Sequence, residues 1–247
     1  MLIAVIIPFH TEIDLVGLAV ASVISQELPS DEYGLEILIG NDGDFSDDQI
    51  LAALPEESLS LVKIAKNEGI QGPGGARNAA LKMMSSNLVT FLDADDYWLQ
   101  GKLMAQIHEI SHGYSFIATA YVIDDSDVII QPPVSRDGNL DVFRSLGILT
   151  SSVMIASSLV DQEIFKHIRF AQDIDLWHRM SLLPEFAFCS IKVPFVSYSS
   201  DGTTKNKLTQ ALYLWRVMSL NNLTLSKKLA CMNSYFWRGI KNHIFGF

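Results

Sequence analysis

The strongest constraint on the fold is the alternation of strand-like and helix-like segments over the first hundred residues. Four apolar runs read as strands, namely Leu2–Phe9, Leu35–Gly40, Leu59–Ala65 and Asn87–Leu92. Apolar runs of this length, separated by helical segments, indicate βαβ crossovers and a mostly parallel sheet buried on both faces. We therefore predict an α/β fold of the Rossmann-like type, with helices flanking a central sheet.

Each predicted strand ends in a polar or glycine-rich turn. The four turns are His10-Thr11-Glu12, Asn41-Asp42-Gly43-Asp44, the loop Asn67–Gly75 and Asp93-Ala94-Asp95-Asp96. Ligands of open α/β sheets bind beyond the carboxyl ends of the strands. We therefore expect these turns to meet at one binding site, although they lie far apart in the sequence.

The second part of the chain is less regular. Strands are predicted at Phe116–Asp124 and Thr150–Ala156, and a helix at Gln172–Leu183. Strand material over Phe188–Ser199 is predicted to break at Pro194, because proline cannot donate to a sheet ladder. In the first part, the helix after the glycine-rich loop is expected over Ala76–Ser85.

Composition and charge exclude several classes of protein. With 49% apolar residues in 247, the chain is too hydrophobic for a disordered protein. The formal net charge of −10 argues against a nucleic-acid partner. Two cysteines exclude a disulfide scaffold and fit a reducing compartment. Without an apolar run long enough to span a bilayer, we expect a cytoplasmic location, free or peripheral on the inner face of the membrane.

The acidic turn Asp93-Ala94-Asp95-Asp96 is a candidate metal site. Carboxylates at such short separations raise one another's pKa unless a cation lies among them. Mg²⁺ and Mn²⁺ use carboxylate oxygens together with the phosphates of a substrate. The alternative is that these acids only complement the positive end of a helix dipole, and the spacing alone leaves both open.

Three further features carry candidate chemistry. The glycine-rich loop before Arg77 allows a backbone to approach an anion at a helix N-terminus, or it is a tight turn. Asp42 can accept a hydrogen bond from a ribose or a base, or it belongs to an Asn-Asp-Gly turn. Asp173 begins a predicted helix, where it is either a general base or an N-cap.

In this order, the segments resemble the inverting family 2 glycosyltransferases with the GT-A fold. The resemblance spans about residues 3–200 and is carried by Val5–His10, Asn41–Asp44, Asn67–Asn78, Phe91–Asp96 and Gln172–Arg179. Where the family usually has Glu-Asp, this chain has Gln172-Asp173. The late segment Tyr198–Thr204 also lacks the family's usual diphosphate contact, for which Lys205 or Lys207 is a candidate substitute.

The resemblance implies a role for each candidate residue. The nucleotide-sugar is expected to contact Pro8, Phe9, His10, Glu12, Asp42, Gly72, Arg77, Asp93, Ala94 and Asp95. Asp95 is the expected direct ligand of a divalent cation, Mn²⁺ or Mg²⁺, and Asp93 is a second ligand or a ribose contact. Asp96 is a weaker candidate. Asp173 matches the catalytic base that deprotonates the acceptor hydroxyl.

The activity implied is inverting transfer of a hexose from a nucleotide-sugar, UDP-linked on family grounds, to a saccharide or lipid-linked acceptor. Such reactions build lipopolysaccharide, capsule or exopolysaccharide. One alternative is a nucleotidyltransferase of sugar metabolism, which needs a basic glycine-rich signature where this chain has His10-Thr11-Glu12. Another is a catalytically decayed carbohydrate-binding module, against which the retained Asp93, Asp95 and Asp173 argue.

The predicted domain is residues 1–204, with a nucleotide-sugar half at 1–98 and an acceptor half at 99–204. The tail at 205–247 is basic, since residues 202–247 carry seven lysines and arginines and no acidic residue. An apolar stripe runs along one predicted helix, at Leu225, Leu229, Met232, Phe236, Ile240 and Ile244. The tail is expected either to lie on an anionic membrane or to pack its stripe against the domain.

Overall fold

The computed structural model describes residues 1–29, 31–124, 126, 128–135, 138–144, 147–160, 165–166, 168, 170–199 and 207–245, the last with side chains at 208–237. Its strands are β1 Leu2–Phe9, β2 Gly34–Asn41, β3 Val62–Lys66, β4 Leu88–Phe91, β5 Tyr97–Trp98, β6 Phe116–Ile123, β7 Ile129–Ile130, β8 Val153–Ala156 and β9 Phe188–Tyr198. Its helices are α1 Val16–Ile24, α2 Asp47–Ala52, α3 Pro73–Leu81, α4 Lys102–Ser111, α5 Gln172–Met180, α6 Lys207–Leu220 and α7 Leu225–Phe245.

The strands form one sheet in the order β3-β2-β1-β4-β8-β6-β9-β5, and β7 pairs with β6 near its carboxyl end. The first four strands pair with one another in parallel. Beyond β4 the pairing is mixed, because β8 runs antiparallel to β4 and β6, whereas β9 is parallel to β6. The longest ladders are parallel, and the predicted mostly parallel α/β fold is confirmed.

The sheet is covered by helices on both faces, and β1 shows how the sequence divides between them. Ile3, Val5 and Ile7 belong to a buried cluster with the apolar sides of α1 and α4. Ala4 and Ile6 belong to a second cluster, with residues of α3 and α5. Successive side chains of a strand point to opposite faces, so a continuous apolar run supplies both clusters.

Three local predictions need correction. Strand β9 continues through Pro194, and register shifts between β6 and β9 accommodate the missing N–H there. Helix α3 begins at Pro73 rather than Ala76, since proline fits the first helical position and Gly72 precedes it with φ 124°. Helix α5 ends at Met180, three residues before the predicted end.

The helix α6 packs against the domain. Leu214, Val217 and Met218 are buried with Phe143 and with Cys231 of α7. Asn221, just after α6, donates to the Asp175 carboxylate of α5 at 2.7 Å. Across the described part of the chain, every helix is too short or too polar to span a bilayer.

The close approach of α3 to β2 predicts a large effect of one methyl group. A Cβ on Gly40 would overlap the carbonyl oxygen of Ala76, whereas a Cβ on Gly34, at the other end of β2, would meet Leu2 Cδ1 at 3.4 Å. Backbone cannot move aside as a side chain can, so we expect Gly40→Ala to lower the free energy of unfolding by about 1–3 kcal/mol. Urea denaturation measures the change.

The control is Gly34→Ala, which we expect to change the free energy of unfolding by less than about 0.5 kcal/mol. Equal stability of the Gly40→Ala and Gly34→Ala variants would show that α3 does not pack on β2 as closely as described.

Candidate active site

A cleft of about 900 Å³ lies at the carboxyl ends of β1, β2 and β4, beside the first turns of α3 and α5. Nine of the residues predicted to bind the nucleotide-sugar line it, namely Pro8, Phe9, His10, Glu12, Asp42, Gly72, Asp93, Ala94 and Asp95. The turns are brought together because parallel strands end at the same edge of the sheet. The volume is within the range of small-molecule sites.

Asp42 organises the glycine-rich loop in addition to lining the cleft. Its Oδ1 accepts a hydrogen bond from Asn67 Nδ2 at 2.6 Å, and its Oδ2 accepts one from the Gly72 N–H at 2.7 Å. Gly72 has φ 124°, a backbone conformation that residues other than glycine rarely adopt. The carboxylate therefore holds the loop that leads into α3.

Arg77 is placed behind the cleft rather than in its lining. The residue is buried, and its guanidinium forms an ion pair with the Asp93 carboxylate and lies 5.3 Å from the centre of the Phe165 ring. The Asp93 N–H donates to Ser151 Oγ at 3.0 Å. Arg77 therefore orients Asp93, and the expected contact between Arg77 and the nucleotide stays a prediction.

Asp95 is a half-buried carboxylate among other acids. Burial raises its pKa, and the charges of Asp93 and Glu12 raise it further against the opposing effect of Arg77. The Glu12 carboxylate accepts hydrogen bonds from the His10 and Thr11 N–H groups, at 2.7 and 2.9 Å. The carboxylates of Asp93 and Asp95 offer hard oxygen donors in a region of excess negative charge, and such a pair suits a divalent cation.

Asp96 differs from its neighbours, since both of its carboxylate oxygens have partners inside the protein. Oδ2 accepts from the Ser151 hydroxyl at 2.5 Å, and Oδ1 accepts from the Ser199 N–H at 3.0 Å. Burial and the charge of Asp93 raise the pKa of Asp96 to about 8. Asp96 therefore ties the acidic turn to the 3-10 turn just before β8 and to the residue just after β9, rather than facing a ligand.

Asp173 occupies the second position of α5, beside the cleft. Gln172, the residue before it, lines the cleft, and the charges of Arg77 and Asp93 both act on the Asp173 carboxylate. Burial raises the pKa of Asp173 above its ordinary value. The N-cap position is taken by Ala171, with φ 57°, and the Asp173 carboxylate accepts hydrogen bonds from the N–H groups of residues 173 and 174 in the first turn. The choice between a general base and a helix-terminal role for Asp173 stays a prediction.

The helix that carries Asp173 is fixed by aromatic packing. The buried Trp177 ring packs edge-on against Phe91 of β4 and Phe116 of β6, with ring centres 5.9 and 4.9 Å apart. The segment before the helix is held by a reciprocal pair, in which Asn78 Nδ2 donates to the Phe165 carbonyl and the Phe165 N–H donates to Asn78 Oδ1. Helix α3 thus holds the backbone at Phe165, eight residues before Asp173.

Two residues near the site were absent from the sequence-based predictions. Ser151 connects Asp93 to Asp96, and no motif marks it. Lys166 lines the cleft and forms an ion pair with Asp175 at 3.2 Å. Its position seven residues before Asp173 could have suggested a cationic side chain near the site. The sequence-based candidates for a cationic contact with the diphosphate were Lys205 and Lys207. Lys205 lies outside the described residues, and the side chain of Lys207 is not described either.

The sequence of the chain matches Glycosyl transferase family 2 over residues 4–169, which include the strands and turns that build the cleft. The chain belongs to glycosyl transferase family 2. The match confirms the family that the ordered motifs suggested, and it covers every motif except Gln172–Arg179, so the role of Asp173 stays a prediction. Neither the nucleotidyltransferase nor the carbohydrate-binding alternative is favoured.

Several named glycosyltransferases are similar to this chain over nearly its whole length. It is 26% identical to the Escherichia coli protein UDP-Glc:alpha-D-GlcNAc-diphosphoundecaprenol beta-1,3-glucosyltransferase WfgD, with 100% of this chain and 96% of that protein covered. It is also 26% identical to the putative teichuronic acid biosynthesis glycosyltransferase TuaG of Bacillus subtilis, with 98% of each chain covered. This family 2 glycosyltransferase is therefore similar to enzymes of surface-polysaccharide synthesis.

Solved structures confirm the GT-A fold. The chain superposes on residues 1–349 of S. aureus TarS with a TM-score of 0.66 and 19% identity, covering 96% of this chain and 71% of that one. TarS in complex with UDP-GlcNAc gives the same TM-score at 20% identity, with 89% and 65% covered. A Pyrobaculum calidifontis mannosyltransferase in complex with GDP-Man and Mn²⁺ gives 0.59 at 13% identity, with 90% and 64% covered.

Proposed function

We propose that this family 2 glycosyltransferase moves a hexose from a UDP-sugar to a lipid-linked saccharide, with inversion at the anomeric carbon. The observation that carries the proposal is the cleft, which gathers Asp42, Asp93 and Asp95 at the ends of β2 and β4, near the carboxylate of Asp173. Support for the donor and acceptor comes from the relatives, since WfgD uses UDP-Glc and a diphosphoundecaprenol-linked sugar by name.

A divalent cation, Mn²⁺ or Mg²⁺, fits the donor set of the cleft. Asp95 would be its direct ligand and Asp93 a second ligand, held in place by Arg77. When bound, such an ion balances the negative charge that develops on a leaving diphosphate. Burial and then the neighbouring acids raise the pKa of Asp95, because a negative charge on its carboxylate is unfavourable there. A bound ion would relieve that unfavourable charge.

The chain's own residues account for the remaining chemistry. The Asp173 carboxylate takes the proton of the acceptor hydroxyl as its oxygen bonds to the anomeric carbon. The bond from that carbon to the diphosphate oxygen breaks on the opposite face, and the electron pair leaves with the diphosphate. Because donor and acceptor are held in one cleft, positioning supplies a large share of the acceleration.

Ligand-dependent stabilisation of the full chain tests the donor proposal. Thermal unfolding is followed with UDP, GDP, CDP and the corresponding hexose conjugates, each with and without Mn²⁺. A ligand at free concentration L that binds the folded state stabilises it by RT ln(1 + L/Kd), so at one fixed concentration the tightest-binding ligand raises the unfolding temperature most. We expect UDP and UDP-hexoses with Mn²⁺ to give the largest shift, and equal shifts for all nucleotides would contradict the proposed donor.

The tail shows a surface that suits an anionic membrane. In α7, Leu225, Leu229 and Phe236 are 64%, 56% and 61% exposed, whereas Cys231 packs against the domain. The alternative in which the predicted stripe packs on the domain is thus wrong for these three residues, but it holds for Met232, which packs against the same cluster as Cys231. The basic tail also complements a negative surface. The division at residue 204 stays a prediction, since that boundary lies outside the described residues.

We therefore propose peripheral contact of α7 with the cytoplasmic face of the membrane. The triple variant Leu225→Ser, Leu229→Ser and Phe236→Ser is expected to lose most of its binding to vesicles that contain phosphatidylglycerol, because the inserting apolar face is removed. Co-sedimentation measures the bound fraction. The matched control is Leu18→Ser on α1, where the leucine is 65% exposed.

We expect the Leu18→Ser variant to bind these vesicles like the unaltered chain. Neither the Leu18→Ser variant nor the unaltered chain should bind vesicles of phosphatidylcholine alone. Unchanged binding by the triple variant, or no binding by the unaltered chain, would overturn the membrane proposal and leave the transfer reaction untouched.

A further inference from the structure

The end of α4 carries a group of metal-ligating side chains outside the cleft. His108, Glu109 and His112 each offer one ligand atom, and these atoms lie within 4.8 Å of one another. The Nδ1 of His112 is 3.8 Å from Glu109 Oε2, and the two imidazole rings have centres 4.4 Å apart. The sequence His108-Glu109-Ile110-Ser111-His112 has the H-E-x-x-H spacing, which places two histidines on one helix face.

A fourth potential ligand approaches the group from the sheet. The thiol of Cys189, the second residue of β9, lies 3.6 Å from Glu109 Oε2. Zinc takes four ligands, nitrogen or oxygen at about 2.0–2.2 Å and sulfur at about 2.3 Å. Ligand atoms of such a site are separated by about 3.3–3.6 Å. The two distances from Glu109 Oε2, 3.8 Å to His112 Nδ1 and 3.6 Å to the Cys189 sulfur, are close to these values, and both imidazoles are exposed.

The position of the group separates it from the cleft. Strands β6 and β9 run in the same direction as β1, since β8 is antiparallel to both β4 and β6. Cys189 lies at the beginning of β9, and His112 directly follows α4 and precedes β6. The group therefore lies at the amino edge of the sheet, opposite Asp93 and Asp95. It also lies at the C-terminal end of a ten-residue helix, where the helix dipole favours a cation.

We propose that His108, Glu109 and His112 bind a zinc-class transition-metal ion, with the Cys189 thiol beside the fourth position. Imidazole nitrogen with carboxylate oxygen and sulfur selects Zn²⁺ over Mg²⁺ or Ca²⁺, which prefer oxygen ligands alone. The ion would join the end of α4 to the start of β9. The proposal does not depend on the transfer reaction, because its residues lie outside the cleft.

Calorimetric titration of the full chain with ZnCl₂ tests the proposal, in a background with Asp93→Asn and Asp95→Asn so that the cleft does not contribute. We expect one Zn²⁺ to bind, and excess Mg²⁺ not to compete. Adding His108→Ala and His112→Ala should weaken binding by at least about 10-fold, the smallest loss typical when a partner of a metal ligand is removed. The matched control on the same helix is Met104→Ala, which should bind Zn²⁺ like the background.

Because both imidazoles are exposed, the histidine variant is expected to fold, and circular dichroism checks this. A second measurement needs no variant in α4. Co²⁺ added to the same background should give the intense visible absorption of a four-coordinate ion. Equal Zn²⁺ affinity with and without the two histidines, or the weak absorption of six-coordinate Co²⁺, would overturn the proposal.

Discussion

Replacing Asp173 with asparagine is expected to abolish sugar transfer and leave donor binding near normal. Asparagine keeps the size of the side chain and cannot take the proton of the acceptor hydroxyl. General base catalysis is worth about 10²–10⁴-fold, so transfer should fall by at least about 100-fold. Transfer is measured as product formed per unit time, and donor affinity by calorimetry with UDP. Transfer above a few per cent of the unaltered rate would assign the base to another residue.

The control for this substitution is Asp48→Asn, which removes an exposed acid from the same position in the first turn of α2. It should leave transfer unchanged. The pH profile adds a second test, because burial raises the pKa of Asp173. Activity should therefore fall with decreasing pH at a higher pH than an ordinary aspartate, with pKa about 3.9, would give. Ionisation of such a group opposes folding above its unfolded pKa, so Asp173→Asn should not lower the unfolding temperature at neutral pH.

Replacing Asp95 with alanine is expected to remove the metal-dependent part of nucleotide binding. With Mn²⁺ present, the affinity for UDP should fall at least about 10-fold, equal to about 1.4 kcal/mol of binding free energy. Without Mn²⁺ the affinity for UDP should be no lower than that of the unaltered chain, because the substitution removes a carboxylate that repels the diphosphate. Calorimetry with and without the ion measures both values.

The neighbouring acids make this test specific. Asp44→Ala removes an exposed acid of the second turn and should leave the effect of Mn²⁺ intact. Asp96→Ala should instead lower the unfolding temperature, since Ser151 and the Ser199 N–H would lose their common acceptor. Unchanged metal-dependent affinity in Asp95→Ala would remove Asp95 from the metal site.

The first half of the fold was predictable because its signals are local. An apolar run such as Leu2–Phe9 can satisfy both of its faces only between two helical layers, and parallel strands bring their following turns to one edge. The meeting of the four turns at one edge was therefore predictable without knowledge of the contacts between them, whereas the individual cleft residues from Pro8 to Asp95 came from the resemblance to the family. The capping box of α2, in which Ser46 accepts from the Gln49 N–H, was equally local.

The contacts that hold the site together were not predictable from single segments. The Arg77–Asp93 ion pair joins residues that each looked like ligand contacts, and the Asn78–Phe165 pair joins residues 87 positions apart. The exposure of Leu225 and Phe236 depends on which face of α7 the domain covers, and periodicity does not specify that. By contrast, the His108–His112 spacing was readable in the sequence and was absent from the predictions.

The stereochemistry of the transfer product tests the central claim most directly. The purified full chain is incubated with Mn²⁺, a UDP-α-hexose and a sugar diphosphate carried on a polyprenyl-like lipid, and the new linkage is examined by NMR. We predict a β-linked disaccharide with release of one UDP for each linkage formed, and no product with Asp173→Asn. An α-linked product, or UDP release without any new linkage across the hexose panel, would contradict the account.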